Sequence, residues 1–294
     1  MLMENYGYLR YNKRKTNGKQ VTALSIKPWE ELTIADDYMF KLVMRRKHLC
    51  QRMLEKILRI GIRDIKYQEE EKTMKFGYDS KGIRLDLYLK ADDTVIVVEM
   101  QVQNLTGTEL AKRTRYYQSM IDLDLLKAGC KYRTLKESIV LFLCPFDPYG
   151  EGRHIYTFRN VCLENKSTEM GDQTTKIFLN AKGTQNDVSP DVKAFLDYVN
   201  GIVSEDAFVQ ELDAEIRKVK QIEEERMSYM TYELKLDDAR EEGERRGREA
   251  GREEGENKLA RLMELLLRDG KNSELKEVLS NQAMRKELYS QYGI

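Results

Sequence analysis

Histidine is almost missing from this chain. Only His48 and His154 occur among 294 residues, too few for a histidine-rich metal cage or a pair of catalytic imidazoles. Cysteine is equally thin. Cys50, Cys130, Cys144 and Cys162 are scattered with no Cys-x-x-Cys pair, which argues against a zinc site or a disulfide framework and fits a reducing cytosol. Neither sign of charge dominates: 50 basic residues balance 50 acidic ones, so any nucleic-acid site must come from local clustering. No apolar run approaches the ~20 residues needed to span a bilayer, and no apolar stretch near the N-terminus precedes a cleavage site. The expectation is a cytoplasmic protein that does not engage a membrane. What is plentiful is charge, at 34% of residues, in a chain long enough for one sizeable core plus an extension.

The most informative stretch runs from Gly82 to Gln103, GIRLDLYLKADDTVIVVEMQVQ. It reads as two strands joined by a turn at Ala91-Asp92-Asp93. In the first strand Ile83, Leu85, Leu87 and Leu89 alternate with Arg84, Asp86, Tyr88 and Lys90, the period of a half-buried strand. In the second, Val95 to Val98 are apolar on both faces, the mark of an interior strand. Glu99 and Gln101 then fall on one face, two residues apart. A carboxylate at the end of such a strand costs several kcal/mol to desolvate, and a divalent metal is the leading candidate to offset that cost. Asp86 supplies a second carboxylate from the neighbouring strand. Two hard oxygen ligands suit Mg2+, which keeps several waters and binds through one or two carboxylates plus substrate phosphate; Mn2+ or another divalent ion is the alternative. Such an ion polarises a phosphate oxygen and lowers the pKa of bound water. Gln101 can orient that water but cannot act as a strong base. The competing reading is plainer: two polar residues ending a strand, and an Asp on a solvated face.

RLDLYLKADDTVIVVEMQ resembles motifs II and III of the PD-(D/E)XK nucleases, with Gln101 where Lys is usual. More specifically, the chain resembles the Rpn-type recombination-promoting nucleases, also described as PD-(D/E)XK family transposases. The similarity continues through ADDYMFKLVM, RTRYYQSMID, FLCPFDPYGEGRHIYTFRN and KIFLNAKG, over roughly Leu32 to Gly201. It implies an α/β restriction-endonuclease-like core, a mixed sheet flanked by helices, with Asp86 and Glu99 on the metal. It also matches Asp37, before the Phe-Lys pair, to a first-helix motif near the active centre; capping of that helix explains the same residue.

Along the chain, residues 1–31 read as an irregular basic tail in which Tyr6, Tyr8 and Tyr11 interleave with Arg10, Lys13, Arg14, Lys15 and Lys19. Such a tail either grips nucleic acid or is simply solvated. Residues 32–203 form the nuclease-like domain. Thr33 is expected to cap a helix from about Ala35, and a second amphipathic helix covers about 48–60. Ile65 to Tyr78 gives one or two strands, with Glu70 a remote candidate ligand. Thr106 or Thr108 caps a long helix to Ala128, closed by Gly129. That helix carries Lys112, Arg113 and Tyr116 beside the Glu99 strand, where they are candidates to meet nucleic acid. SIVLFLC, from Ser138 to Cys144, reads as a buried strand; Ile155–Phe158 and Lys176–Leu179 read as an added hairpin.

Residues 204–294 form a charged helical, coiled-coil-like extension. From Asp237 to Lys258 nearly every residue is charged, with Gly243, Gly247, Gly251 and Gly255 at four-residue spacing. Each glycine costs about 1 kcal/mol relative to Ala, against a few tenths for each Glu–Arg pair, so either the glycines mark a close helix–helix contact or, as expected here, the stretch is a fraying, solvated linker. The helical faces at Leu259–Leu267 and Leu275–Leu288 need a partner, and a homodimer through the extension is expected. The function expected is a magnesium-dependent DNA endonuclease. The alternative is a catalytically inactive nucleic-acid-binding or scaffold module on the same fold.

Overall fold

A computed structural model describes residues 27–70, 73–75, 82–105 and 107–294. Tyr6, Tyr8, Tyr11 and the basic residues from Arg10 to Lys19 lie outside the described residues, as does Thr106. The chain divides after Glu223 into two units.

The first unit is built on a six-stranded mixed sheet. Its strands are β1 (Ile65–Glu70), β4 (Leu87–Ala91), β5 (Thr94–Met100), β6 (Ser138–Cys144), β7 (Ile155–Phe158) and β8 (Thr174–Asn180), in the spatial order β1-β4-β5-β6-β8-β7. A two-stranded ribbon, β2 (Thr73–Met74) with β3 (Ile83–Arg84), stands apart. β5, β6 and β8 run parallel, while β1, β4 and β7 pair antiparallel with their neighbours. The expected single strand from Ile83 is therefore two pieces, interrupted at Leu85-Asp86. β4 is also less amphipathic than its alternation suggests, since Tyr88 is as buried as Leu87 and Leu89. A two-residue turn joins β4 to β5, with Asp92 at φ +50 and Ala91 facing Thr94, a conformation that Asp tolerates better than most side chains. Val95, Ile96, Val97 and Val98 are all buried, as an interior strand requires. β7 does pair with β8 as an antiparallel hairpin at the sheet edge.

Five helices accompany the sheet. They are α1 (Asp37–Met44), α2 (Lys47–Leu58), α3 (Gly107–Leu125), α4 (Pro190–Val199) and α5 (Ala207–Lys220). α1 packs against β5 and against α2 and α5, and α4 contacts α2 and α5. α3 lies over β6, burying Leu110, Tyr117, Met120 and Ile121 with Tyr88, Val95, Val97, Val140, Phe142 and Phe178. Alternation along β5 thus turns Val95, Val97 and Glu99 toward α3. Two caps differ from expectation. Asp36, not Thr33, precedes α1, and its carboxylate accepts from the Thr33 amide and hydroxyl rather than from the helix. Gly129, at φ +84, belongs to the turn after α3, which ends four residues earlier at Leu125. Compositionally α5 resembles the extension, yet its buried Phe208, Val209, Leu212, Ile216 and Val219 place it in the first unit.

The second unit comprises α6 (Glu223–Arg268) from its second residue on, α7 (Asn272–Ser280) and α8 (Gln282–Tyr292). The fraying linker is not observed: Asp237 to Lys258 lies inside a continuous helix of 46 residues. Each glycine there is separated by three residues that are nearly all Glu, Arg or Ala, strong helix formers. Side-chain bridges such as Arg245–Glu249, Arg246–Glu242 and Lys258–Glu254 run along it. The apolar faces that need a partner find one within the unit, where Leu262, Leu266, Val278 and Leu288 form a small core with Leu259 and Leu275. No helix among the described residues is long and apolar enough to cross a membrane.

Candidate active site

The site forms where β4 and β5 part. Their ladder ends at Leu87 facing Val98, so the next residues outward, Asp86 and Glu99, face each other across the gap. At a strand end the backbone amides lose their ladder partners, and here the two carboxylates replace them reciprocally. The Asp86 amide donates to Glu99 Oε1 at 2.9 Å, and the Met100 amide donates to Asp86 Oδ2 at 3.0 Å. The two acids are thus brought together on one side of the sheet edge, and each keeps one oxygen turned away from the backbone.

Those remaining oxygens meet cations from two helices. The Lys41 ammonium of α1 sits 3.7 Å from Asp86 Oδ1 and 3.6 Å from Asp37 Oδ2. The Arg113 guanidinium of α3 lies 3.4 Å from Glu99 Oε2, donates to Gln101 Oε1 at 2.6 Å, and donates to the Tyr117 hydroxyl at 2.6 and 2.9 Å. It is also held over the Tyr117 and Phe142 rings, 5.1 and 5.8 Å from their centroids, a planar arrangement that a lysine could not reproduce.

Electrostatics follow from burial. Glu99 is 2% exposed, and desolvation, reinforced by the Asp86 charge, pushes its carboxyl up to about 8. Burial likewise raises Asp86, against the opposing pull of Lys41. Desolvation and the nearby Glu99 charge raise the Tyr117 phenol. Two carboxylates that disfavour each other's ionisation are a donor set that a cation would relieve. Among the described residues no group of three or more His, Cys, Asp or Glu is poised to hold a metal. Asp86 and Glu99 are a donor set for an ion that takes two carboxylates from the protein and its other ligands from water and phosphate.

Of the other residues singled out in the sequence, Asp37 joins the cluster through Lys41 and stays partly exposed. Gln101 is buried, with its Oε1 taken by Arg113 and its Nε2 donating to the Gln103 carbonyl at 2.6 Å. Glu70 lies on β1 with its Cα opposite Leu87, next to Asp86. Lys112 is exposed. With Arg115, Thr108, Ala111, Pro148 and Tyr149 it lines a cleft of about 670 Å³ between the first turns of α3 and the loop after β6. Gly107 permits that close approach, since a Cβ there would stand 2.7 Å from the Pro148 carbonyl oxygen. Tyr116 packs half-buried against the core beneath α3, which leaves less of it for a substrate. The sequence reading met Lys41 only as part of the Phe-Lys pair after Asp37 and gave it no role; the signal for one was a lysine four residues after Asp37, enclosed by apolar neighbours in MFKLVM.

Paired acids at the end of a mixed sheet, flanked by helices, define a protein of the PD-(D/E)XK nuclease fold. The family described as PD-(D/E)XK nuclease family transposase matches residues 34–246, and the chain belongs to that family. A search of curated proteins found no match. Nucleases of this fold typically use divalent cations.

Proposed function

We propose that this protein is a divalent-metal-dependent endonuclease that hydrolyses phosphodiester bonds in DNA, with Asp86 and Glu99 as the protein ligands of the ion. The observation that carries the reading is the convergence of buried Glu99 and partly buried Asp86, each with one oxygen committed to the opposite strand's amide. This commitment fixes both carboxylates without a ligand, the preorganisation that electrostatic catalysis needs. When bound, Mg2+ (or Mn2+, equally at home among hard oxygens) supplies charge stabilisation on the phosphate and a more acidic water. Arg113 braces Glu99 and Gln101. Gln101 retains one lone pair and one N–H beyond its two hydrogen bonds, enough to orient a water but not to take its proton. Asp37 balances the Lys41 charge. The cleft bearing Lys112 and Arg115 is suited to a backbone phosphate of the DNA, with Tyr149 on its wall. The family description points to recombination or mobile elements as the setting.

Cleavage of supercoiled plasmid in Mg2+ with an EDTA control tests the reading. We expect EDTA-sensitive nicking that Asp86→Ala and Glu99→Ala abolish while retaining the fold; full nicking by both variants would remove the assignment. A panel of single- and double-stranded DNA and RNA fixes the substrate.

One observation favours a second reading, a non-catalytic nucleic-acid-binding or scaffold module. Gln101 replaces the usual lysine, and Lys41 and Arg113 already neutralise part of the acidic pair. Absence of metal-dependent cleavage on every substrate would select it.

We further propose a homodimer through the extension. Met227, Met230 and Leu234 recur at i, i+3 and i+7 along α6 and are 54%, 50% and 61% exposed, a ridge suited to a second copy. A monomeric mass for the full chain in light scattering would reject this.

A further inference from the structure

A buried ammonium is costly unless it is paired and serves a purpose. Lys41 is the one buried lysine or arginine among the described residues, at 3% exposure. Its helical neighbours Phe40, Leu42, Val43 and Met44 are buried as well, so its four-carbon stem runs through core rather than over a surface. Its Nζ comes out between two carboxylates that arrive from different elements. Asp37 lies one turn earlier on α1, and Asp86 lies at the break between β3 and β4. Asp86 is held at its other oxygen by the Met100 amide, so its carboxylate is clamped on two sides, by a backbone dipole and by a full charge.

Charge balance gives the clamp a second consequence. Asp37, Asp86 and Glu99 carry three formal negative charges, and Lys41 and Arg113 carry two positive ones. Arg84 also acts on Asp86, but of these cations Lys41 alone is buried. Removing it would make the acidic pair more repulsive to an approaching phosphate. Gln101, uncharged and occupied by Arg113 and Gln103, provides no local compensation.

We propose that Lys41 is a positioning residue for this site, which holds the Asp86 carboxylate between α1 and the strand end and supplies from a helix the positive charge that the β5 strand lacks. The proposal rests on the reading of Asp86 and Glu99 as the reacting centre. Lys41 acts through Asp86.

The test is a thermal double-mutant cycle on the full chain in EDTA, with wild type, Lys41→Met, Asp86→Asn and the double variant. Lys41→Met leaves two carboxylates without their buried cation and is expected to lower the melting temperature by on the order of 10 °C. In the Asp86→Asn background the same substitution should cost less than half as much. Equal losses in both backgrounds would mean that Lys41 only fills space, and would overturn the proposal. Should Lys41→Met fail to fold alone, the proposal requires the double variant to be folded; a double variant that also fails refutes it. With MnCl2 added, Lys41→Met should gain more in melting temperature than wild type, because a positive charge beside the ligands has been removed. Its plasmid cleavage should fall about 100-fold. A smaller Mn2+ gain, or cleavage at the wild-type rate, counts against the role. Failure of wild type to cleave anything would remove the nuclease reading and leave the EDTA cycle to be judged by itself.

Discussion

Glu99→Gln should make the metal-free protein more stable. In the folded chain burial and the Asp86 charge hold the Glu99 carboxyl at about 8, whereas an unfolded glutamate titrates near 4.3. Between those values the folded state keeps a proton that the unfolded state has shed. Stability therefore falls as pH rises from about 4.3 toward about 8, and levels off above that. At pH 7 the upper bound of this penalty is on the order of 4 kcal/mol. A glutamine still accepts the Asp86 amide but gives up the charge facing Arg113, and we take about half the bound, roughly 2 kcal/mol, as the net gain. For a chain of this size that corresponds to about 4–8 °C in melting temperature. The assay is thermal unfolding of both proteins in EDTA from pH 5 to pH 8. The advantage of the variant should be small at pH 5 and widen toward pH 8. A variant that melts below wild type at pH 7.5, or an offset independent of pH, would refute the argument that an ion-ready acid is maintained here at the expense of stability. In millimolar Mg2+ the order should reverse, since a ligand at a hundredfold excess over its Kd stabilises only the protein that binds it, by about 2.7 kcal/mol.

Three further outcomes are expected. Arg113→Lys keeps the charge but cannot span Gln101, Glu99 and Tyr117 together, so cleavage should drop about tenfold or more, with a loss of melting temperature of a few degrees at most, as read by kcat/KM and thermal unfolding; wild-type kinetics would show that the guanidinium fork is not used. The Lys56 hydrogen bond lowers the Asp191 carboxyl to about 2, so Lys56→Met should cost about 1 kcal/mol at pH 7 after allowance for solvent screening of this part-exposed pair. Because the depressed acid stabilises the fold above about pH 4, that deficit should fade as pH falls from about 4 toward 2. Replacing Gly243, Gly247, Gly251 and Gly255 with Ala, where each added Cβ meets open space, should raise the helix melting transition, with a gain of up to about 1 kcal/mol per site; a destabilised or altered oligomer in light scattering would show instead that these positions are a close contact.

Much of the nuclease-like core was legible because period-2 patterning and a two-residue turn constrain register strongly. With Asp92 and Asp93 in the turn, Asp86 and Glu99 had to fall near each other across two strands, and the structure brings them side by side. The interruption at Leu85-Asp86 was not legible, since Ile83 to Leu89 alternates without a break in pattern. Lys41 was hidden for another reason. A lysine on an amphipathic helix ordinarily extends to water, and only the third dimension reveals that Asp37 and Asp86 meet it inside. The α6 segment misled because helix propensity is summed residue by residue, whereas a long helix is cooperative, with isolated glycines carried by strong formers on either side. Arg113 was foreseen near the carboxylates, but its brace on Gln101 needed the end of β5 to turn that amide toward α3.

The most direct measurement is a crystal soaked in MnCl2 and recorded at a wavelength where manganese scatters anomalously. The account predicts one anomalous peak at coordination distance from both the Asp86 and Glu99 carboxylates, absent in the Glu99→Gln protein. No peak between these two side chains at saturating Mn2+, or an ion bound only elsewhere, would contradict it.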